Sequence, residues 1–397
     1  MTTEQSEEHR ISVADGLRGF AIIAITLLHS INHFNLSIFP VSSSPFLNWA
    51  DPIINTIVTS VSSGKSYGLF ALLFGLTYHL QLSNQEKRGK DFSYRFIWRM
   101  FILFFIGTIN SAFFAGEILV LYSILGLVLV PLRHAKNRTL IILTILLLMQ
   151  PLLLAKIVYI PFSENYSQNF QRYSPHELFS QLAHNSFLDM IRTNLTLGKQ
   201  VYWLSIISNC ERIFQSTALF IIGILLGRQK LFDPSLRTNK FWQKTRIITL
   251  ISFLVINAIK FKLTTLLPSG ALHNMIDNLL SLWSDFAVII FIASLFILIY
   301  SCSFKKNVRW MEPIGKMSLT NYIMQSVLGS FIFYGYGLFL SKYCGITTSF
   351  LIGLILLFLQ YLFCIWWLKF HKKGPIEQLW HNLTWIKSSV LLKNIKH

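Results

Sequence analysis

The chain is poor in charge. Of its 397 residues only 13% are Asp, Glu, Lys or Arg, against 53% hydrophobic and 15% aromatic residues. Soluble domains carry about twice that charged fraction, so a soluble enzyme or binding module is excluded and an integral membrane protein is implied. Acid is scarcer still: 17 Asp and Glu stand against 35 Lys and Arg, for a formal charge of +18. An excess of this kind can mark a nucleic-acid partner. Here the basic residues lie in short loops between apolar runs, not in one patch, which argues against nucleic acid. Cysteine is sparse as well. Cys210, Cys302, Cys344 and Cys364 lie in or beside apolar runs and form no CxxC pair, which argues against disulfides and thiolate metal sites. The first ten residues, MTTEQSEEHR, are acidic rather than basic, and no small-residue cleavage site follows the first apolar run. That run is expected to stay as a transmembrane helix rather than leave as a signal peptide. Neither a nucleotide-binding glycine loop, nor a repeat of solenoid period, nor an HExxH pattern is present.

What is abundant is apolar runs of about 20 residues, the length that spans a bilayer. Ten are placed near 17–36, 64–82, 96–115, 117–134, 139–160, 203–227, 246–266, 279–302, 317–340 and 348–370. The stretch 46–62, interrupted by Asp51 and Pro52, reads as a helix lying at the interface or leaning into the bundle. Basic residues fall in alternate loops: Lys87 to Arg99, Arg133 to Arg138, Arg228 to Arg246 and Lys305 to Lys316, with Lys369, Lys372 and Lys373 beyond the last run. The expected architecture is an all-α polytopic bundle of about ten transmembrane helices, with both termini cytoplasmic. It forms one transmembrane domain over 1–397, with an extracytoplasmic loop at 161–202 and a cytoplasmic tail at 371–397. The long outer loop is polar and aromatic with an amphipathic centre, and suits a lid, a binding surface or a plain cover.

Polar residues inside the runs carry the functional signal. Arg18 and His29 are eleven residues apart, nearly three helical turns, so they share a face and are separated by roughly 16 Å along the axis. Thr26, Asn32 and His33 fall on or near the His29 face. Arg99 and Asn110 repeat the spacing in the third run, Glu117 follows in an outer hairpin, and Glu211, Arg212 and Asp285 lie in the outer halves of later runs. Such groups face a bundle interior or a wet cavity rather than lipid, so a polar cavity opening outward, with His29 at or near its floor, is expected. Each also has a plain structural reading. Glu211, Arg212 and Asp285 suit pairing between helices, Asn110 suits an interhelical hydrogen bond, and Gly223 and Gly227 suit close helix packing. His29 and His33 have an i, i+4 spacing but no carboxylate between them, which argues against a metal.

The stretch DGLRGFAIIAITLLHS resembles the first helix of the transmembrane acyltransferase superfamily, which includes the bacterial acyltransferase-3 enzymes and the lysosomal heparan glucosaminide acetyltransferase. Arg18 and His29 fit the Arg–x10–His signature of the acyltransferase-3 branch. The remaining blocks resemble the YeiB-like family of bacterial membrane proteins: KSYGLFALLFG (65–75), GTINSAFFAGEILVLYSILG (107–126), FIIGILLGRQKLF (220–232), IGKMSLTNYIMQS (314–326) and WWLKFHKKGPIEQLW (366–380). That branch commonly has Asn where this chain has His29, His where it has Asn110, and Asp where it has Glu117.

The resemblance implies acyl transfer across the bacterial cytoplasmic (inner) membrane. The donor would be a cytoplasmic acyl-CoA. The acceptor would be an extracytoplasmic hydroxyl or amine on a small molecule or a cell-envelope glycan. His29 would be general base or transient acyl carrier, with imidazole suited to proton transfer near neutral pH. Glu117 or Asp285 would hold its tautomer. Arg18 would bind a donor phosphate or orient the thioester, or serve only as a positive-inside anchor paired with Asp15. Asn110, Asn321, Tyr322 and Gln325 are the further candidates for lining the donor path, or for binding neighbouring helices. The competing expectation is a proton-coupled transporter or exporter, although no paired repeat is visible.

Overall fold

The computed structural model describes residues 3–386 apart from 39, 41–43, 160–175, 185, 210, 234, 269 and 303–304. All regular structure among the described residues is helical. Helix α1 (Thr3–Leu28) runs directly into a turn of π-helix at His29–His33. Then come α2 (Pro45–Ser62), α3 (Lys65–Glu86), α4 (Ser93–Asn110), α5 (Ile118–Leu127) and the short α6 (Leu129–Leu132). Next are α7 (Asn137–Leu148), α8 (Pro151–Tyr159), α9 (His176–His184) and α10 (Phe187–Thr193), followed by a second π turn at Asn194–Gly198. The longest helices lie after α11 (Lys199–Asn209) and α12 (Glu211–Arg228): α13 (Leu236–Leu266) and α14 (Ala271–Ser301) pack as a pair. The chain continues through α15 (Lys305–Val308), α16 (Glu312–Lys316), α17 (Ser318–Phe333), α18 (Ile346–Leu368) and α19 (Pro375–Thr384).

Among the described residues five stretches are long and apolar enough to cross a membrane: Ser12–His33, Pro45–Glu86, Asn137–Tyr159, Ala271–Ser301 and Ile346–Leu368. The count is six if Phe187–Ile206 and Glu211–Arg228 form one bent span. Several of the ten apolar runs in the sequence are interrupted. The run near 139–160 breaks at Gln150, whose φ is 55°, just before Pro151, because the residue preceding proline is driven from the helical region. The run near 317–340 stops at Phe333. The 46–62 stretch, expected at the interface or leaning into the bundle, forms α2, and α2 with α3 makes one apolar stretch of 42 residues, broken at Ser63 and at Gly64, whose φ of +76° only glycine adopts readily.

Large apolar side chains stay exposed along whole helix faces, such as Phe101, Phe105 and Ile109 on α4 and Ile355, Phe358 and Leu362 on α18. Faces of this extent suit hydrocarbon rather than water. Inside the bundle α3 and α12 run side by side at close range. A Cβ on Gly75 would strike the Phe220 carbonyl, and one on Gly223 the Leu72 carbonyl. The glycine signal in GILLG is thus a helix-contact signal. The centre of the bundle is made by α1, the α4–α5 hairpin and α17, and the polar residues of interest collect there.

Candidate functional site

His29 is the first residue of the π turn that extends α1, and its carbonyl accepts the Phe34 N–H at 2.8 Å. A π turn widens the helix locally and re-aims its side chains. The imidazole is 9% exposed and is ringed by aromatics, with centroid separations of 4.7 Å to Phe114, 5.2 Å to His33, 5.7 Å to Phe34 and 6.5 Å to Tyr322. Its Nδ1 has no hydrogen-bond partner among the described residues.

The α4–α5 hairpin brings a carboxylate and an amide to the same level. Asn110 ends α4 and donates from Nδ2 to Glu117, and to Ser326 Oγ at 3.2 Å. Glu117 Oε1 in turn accepts the Leu119 N–H at 2.6 Å and caps α5. The capping follows from chemistry, since a carboxylate at that position satisfies an orphan N–H and meets the positive end of the helix dipole. From α17, the Tyr322 hydroxyl accepts the Ile118 N–H at 3.4 Å, and Gln325 Oε1 accepts from Thr26 Oγ1 at 2.6 Å. Asn110 Oδ1 and Gln325 Nε2, both deeply buried, lack partners among the described residues, as His29 Nδ1 does. Each is a buried polar atom with hydrogen-bonding capacity left for a further polar group.

A cavity of about 360 Å³ approaches this cluster from the Arg18 end. Its walls are apolar, with Phe70, Phe74, Leu103, Leu119 and Tyr122 among them, and Tyr322 and Ile118 line it as well. Its rim holds Arg18, Arg99, Lys316 and Lys373. Arg18 is tied to Asp15 at 2.7 Å and to Thr77 at 2.6 Å. Among the described residues Arg99, Lys316 and Lys373 have no ion pair. The sequence points to a cavity opening on the His29 side; this one opens on the other.

The rim includes a part that sequence reasoning missed. Residues 371–386 contain a docked helix, α19, rather than only a free tail. Glu377 accepts from the Leu319 and Thr320 N–H groups at 2.7 and 3.0 Å and from Thr320 Oγ1 at 2.5 Å, capping α17. Burial pushes its carboxyl above the usual range, and it lowers Lys373 and His381. Trp380 donates to the Arg99 carbonyl at 3.1 Å while the Arg99 guanidinium lies 3.6 Å from its ring centroid. The available signals were the resemblance over 366–380 and a proline at the start of an amphipathic helix.

The structure thus gathers Arg18, His29, Asn110, Glu117, Tyr322 and Gln325. It puts the other two candidates elsewhere. Asp285 forms an ion pair with Lys65 at 2.7 Å beside the α2–α3 break. Asn321 binds the Ile314 carbonyl at 3.1 Å and Cys364 Sγ at 3.2 Å, at the junction of α17 with α16 and α18. Beyond His29, the outer segment packs over the hairpin. Asn194 Nδ2 donates to the Ala112 carbonyl at 2.9 Å, and Met190 joins Phe34, Phe114 and Phe333 in a small core. Residues 161–175 and 185 of the expected 161–202 loop lie outside the described residues. Among the described residues no three His, Cys, Asp or Glu side chains form a metal-holding group.

Residues 226–387 match the family described as "Protein of unknown function (DUF418)". The chain is also similar from end to end to uncharacterized bacterial proteins. It is 26% identical over 406 residues to YxaH of Bacillus subtilis (strain 168), covering 98% of this chain and 97% of that protein. To YeiB of Escherichia coli (strain K12) it is 26% identical over 409 residues, covering 93% and 95%. A 39.9 kDa protein from the amylase 3' region of Bacillus acidopullulyticus is 22% identical over 404 residues, covering 97% of each chain. The blocks 314–326 and 366–380 that resemble the YeiB-like family fall inside the DUF418 match. No solved structure matches this chain.

Proposed function

We propose that this protein is an acyltransferase of the bacterial cytoplasmic (inner) membrane. It moves an acyl group from cytoplasmic acyl-CoA to an extracytoplasmic hydroxyl or amine on a small molecule or a cell-envelope glycan. In this reading the bundle crosses the membrane ten times with both termini inside, so that the basic loops and α19 face the cytoplasm. The observation that carries the proposal is the cavity that runs from a rim of four cations to Tyr322, against the cluster of His29, Asn110 and Glu117. Cations at a mouth suit phosphates, and apolar walls suit the pantetheine arm and acyl chain.

The chemistry follows from the arrangement. The acceptor oxygen or nitrogen attacks the thioester carbonyl, the new C–O or C–N bond forms, and the C–S bond breaks. His29 takes the proton from the acceptor, and that proton ends on the departing CoA thiolate, giving free CoA thiol. Tyr322, whose hydroxyl end lies by the Ile118 N–H and whose ring lines the cavity, can donate toward the carbonyl oxygen as it gains charge. Glu117 holds the Asn110 amide and fixes the hairpin.

One observation favours transport as the second reading. The α2–α3 break borders a polar cavity of about 560 Å³ lined by Lys65, Asn257, Lys260 and Asp285, and broken helices beside polar cavities are the usual sites of secondary transporters. The deciding experiment is release of CoA thiol from acetyl-CoA by the purified protein in nanodiscs, with mixed cell-envelope glycans as acceptor. Wild type is expected to release thiol, and His29→Ala to lose about 10²–10⁴-fold of the rate. Equal release from both would remove His29 as the base. No release and no acyl-CoA binding by either would end the acyltransferase reading in favour of transport.

A further inference from the structure

Arg212 is the ionisable group near the site that this reaction scheme leaves idle. It stands in the first turn of α12 and is exposed. Among the described residues its guanidinium has no ion pair. It lies 5.7 Å from the Tyr67 ring centroid. The neighbouring Glu211 is engaged elsewhere, accepting from Asn278 at 2.5 Å. The two lysines at comparable depth are also committed, Lys65 to Asp285 at 2.7 Å and Lys260 to Asp277 at 3.2 Å.

The register of α3 on α12 fixes where Arg212 sits. The two helices run parallel, with Gly75 against Phe220, Gly223 against Leu72 and Gly227 against His79. Arg212 is fifteen residues before Gly227, whereas Tyr67 is twelve before His79. Arg212 therefore stands about 4.5 Å beyond Tyr67, away from the Arg18 end. There it is near enough for its charge to act on His33, Tyr67 and Tyr202. His33 is exposed, and its ring is 5.2 Å from that of His29. Arg212 and His33 thus lie beyond His29, on the side opposite the cavity beneath Tyr322.

We infer that the acceptor carries an anionic group, a carboxylate or a phosphate, which pairs with Arg212 while its hydroxyl or amine is held at His29. The inference rests on the acyl-transfer reading for the role of His29. The Glu211 carboxylate is near enough to feel the Arg212 charge but forms no ion pair with it among the described residues. A guanidinium at this depth without a carboxylate in contact is costly, and its planar fork matches carboxylate and phosphate oxygens in pairs. A neutral acceptor would leave that fork without a paired anion. An anionic one supplies the missing partner and sets the direction of the bound molecule.

The test is equilibrium binding to the protein in nanodiscs, using glucuronate against glucose and glycerol 3-phosphate against glycerol. Wild type should prefer at least one charged probe over its neutral counterpart by about tenfold. Which pair shows the preference tells an acidic sugar from a phosphate. Arg212→Gln should abolish the preference, and Arg212→Lys should retain much of it. Equal affinity for charged and neutral probes in the wild type overturns the inference, whether or not Arg212→Gln folds. A preference unchanged in Arg212→Gln overturns it as well. CoA-thiol release is read separately. Preference without release overturns the acyl-transfer reading and leaves an anion site; release without preference does the reverse.

Discussion

Glu117 accepts a hydrogen bond from Asn110 and a second, at 2.6 Å, from the Leu119 N–H. One carboxylate therefore joins the end of α4 to the start of α5, beside the base. Its two tasks separate by substitution. Glu117→Ala removes the cap and leaves the Asn110 amide without its partner, a loss of about 1–2 kcal/mol. A lower Tm in detergent, by several degrees, is the expected reading. Glu117→Gln keeps the shape and one acceptor but removes the charge. It should fold and release CoA thiol at least about tenfold more slowly. Wild-type release by Glu117→Gln would confine Glu117 to capping.

The cavity rim makes a different prediction. Arg99, Lys316 and Lys373 have no ion pair among the described residues, and under the acyl-transfer proposal they would meet the donor before any bond changes. Replacing one of them by Ala should raise KM for acetyl-CoA by about five- to tenfold with kcat nearly unchanged, the mark of lost uniform binding. The effect should shrink at high salt most for Lys316, the exposed one of the three, because solvent-exposed charges are screened more than partly buried ones. Steady-state thiol release at two ionic strengths reads both. A fall in kcat with unchanged KM would place these side chains in the chemical step.

Glu377 links α19 to α17 and gives its attachment a pH dependence. Burial holds the carboxyl above the usual range, the hydrogen bonds from Thr320 and Leu319 offsetting this only in part. A carboxyl raised on folding stabilises fully below its unfolded value of about 4.3, and the contribution is lost as pH rises through the folded value. Amide exchange in α19, corrected for intrinsic rate, should therefore show stronger protection at pH 5 than at pH 8. Glu377→Gln should flatten that difference. A slope that persists in Glu377→Gln would assign the effect to another group.

Much of the site was legible because helix geometry is rigid. Eleven residues of helix set Arg18 and His29 about three turns apart; Arg18 lines the cavity, and His29 lies 6.5 Å from Tyr322, which lines it too. Asn110, Glu117, Tyr322 and Gln325 meet there because each interrupts an apolar run at similar depth. Depth, however, carries no angular information about a bundle. Asp285 shares the level but lies on another side of α3, and only packing decides that. Asn321 and Gln325 are one turn apart, yet the first meets Cys364 and the second Thr26, a difference set by where α18 and α1 cross α17. The docked helix α19 was invisible for another reason. Ten residues are too few for periodicity to tell an amphipathic helix from a tail, and its anchor, Trp380 on Arg99, joins residues 281 apart in sequence.

The Lys65–Asp285 pair offers a clean way to separate structure from chemistry. The two side chains are 13% and 24% exposed, 2.7 Å apart, beside the break between α2 and α3. Removing one partner strands the other in a poorly hydrated place, which costs about 2 kcal/mol here. Asp285→Asn should therefore lower the Tm in detergent while kcat for thiol release stays within about twofold of wild type, since no atom of Asp285 enters the His29 cluster. Exchanging the charges, Lys65→Asp with Asp285→Lys, should recover part of the lost Tm, because the attraction survives reversal even where the fit does not. A kcat lost by a hundredfold or more in a stable Asp285→Asn protein would return this carboxylate to the catalytic set and require a path from α14 to His29 that the packing of α3 now closes.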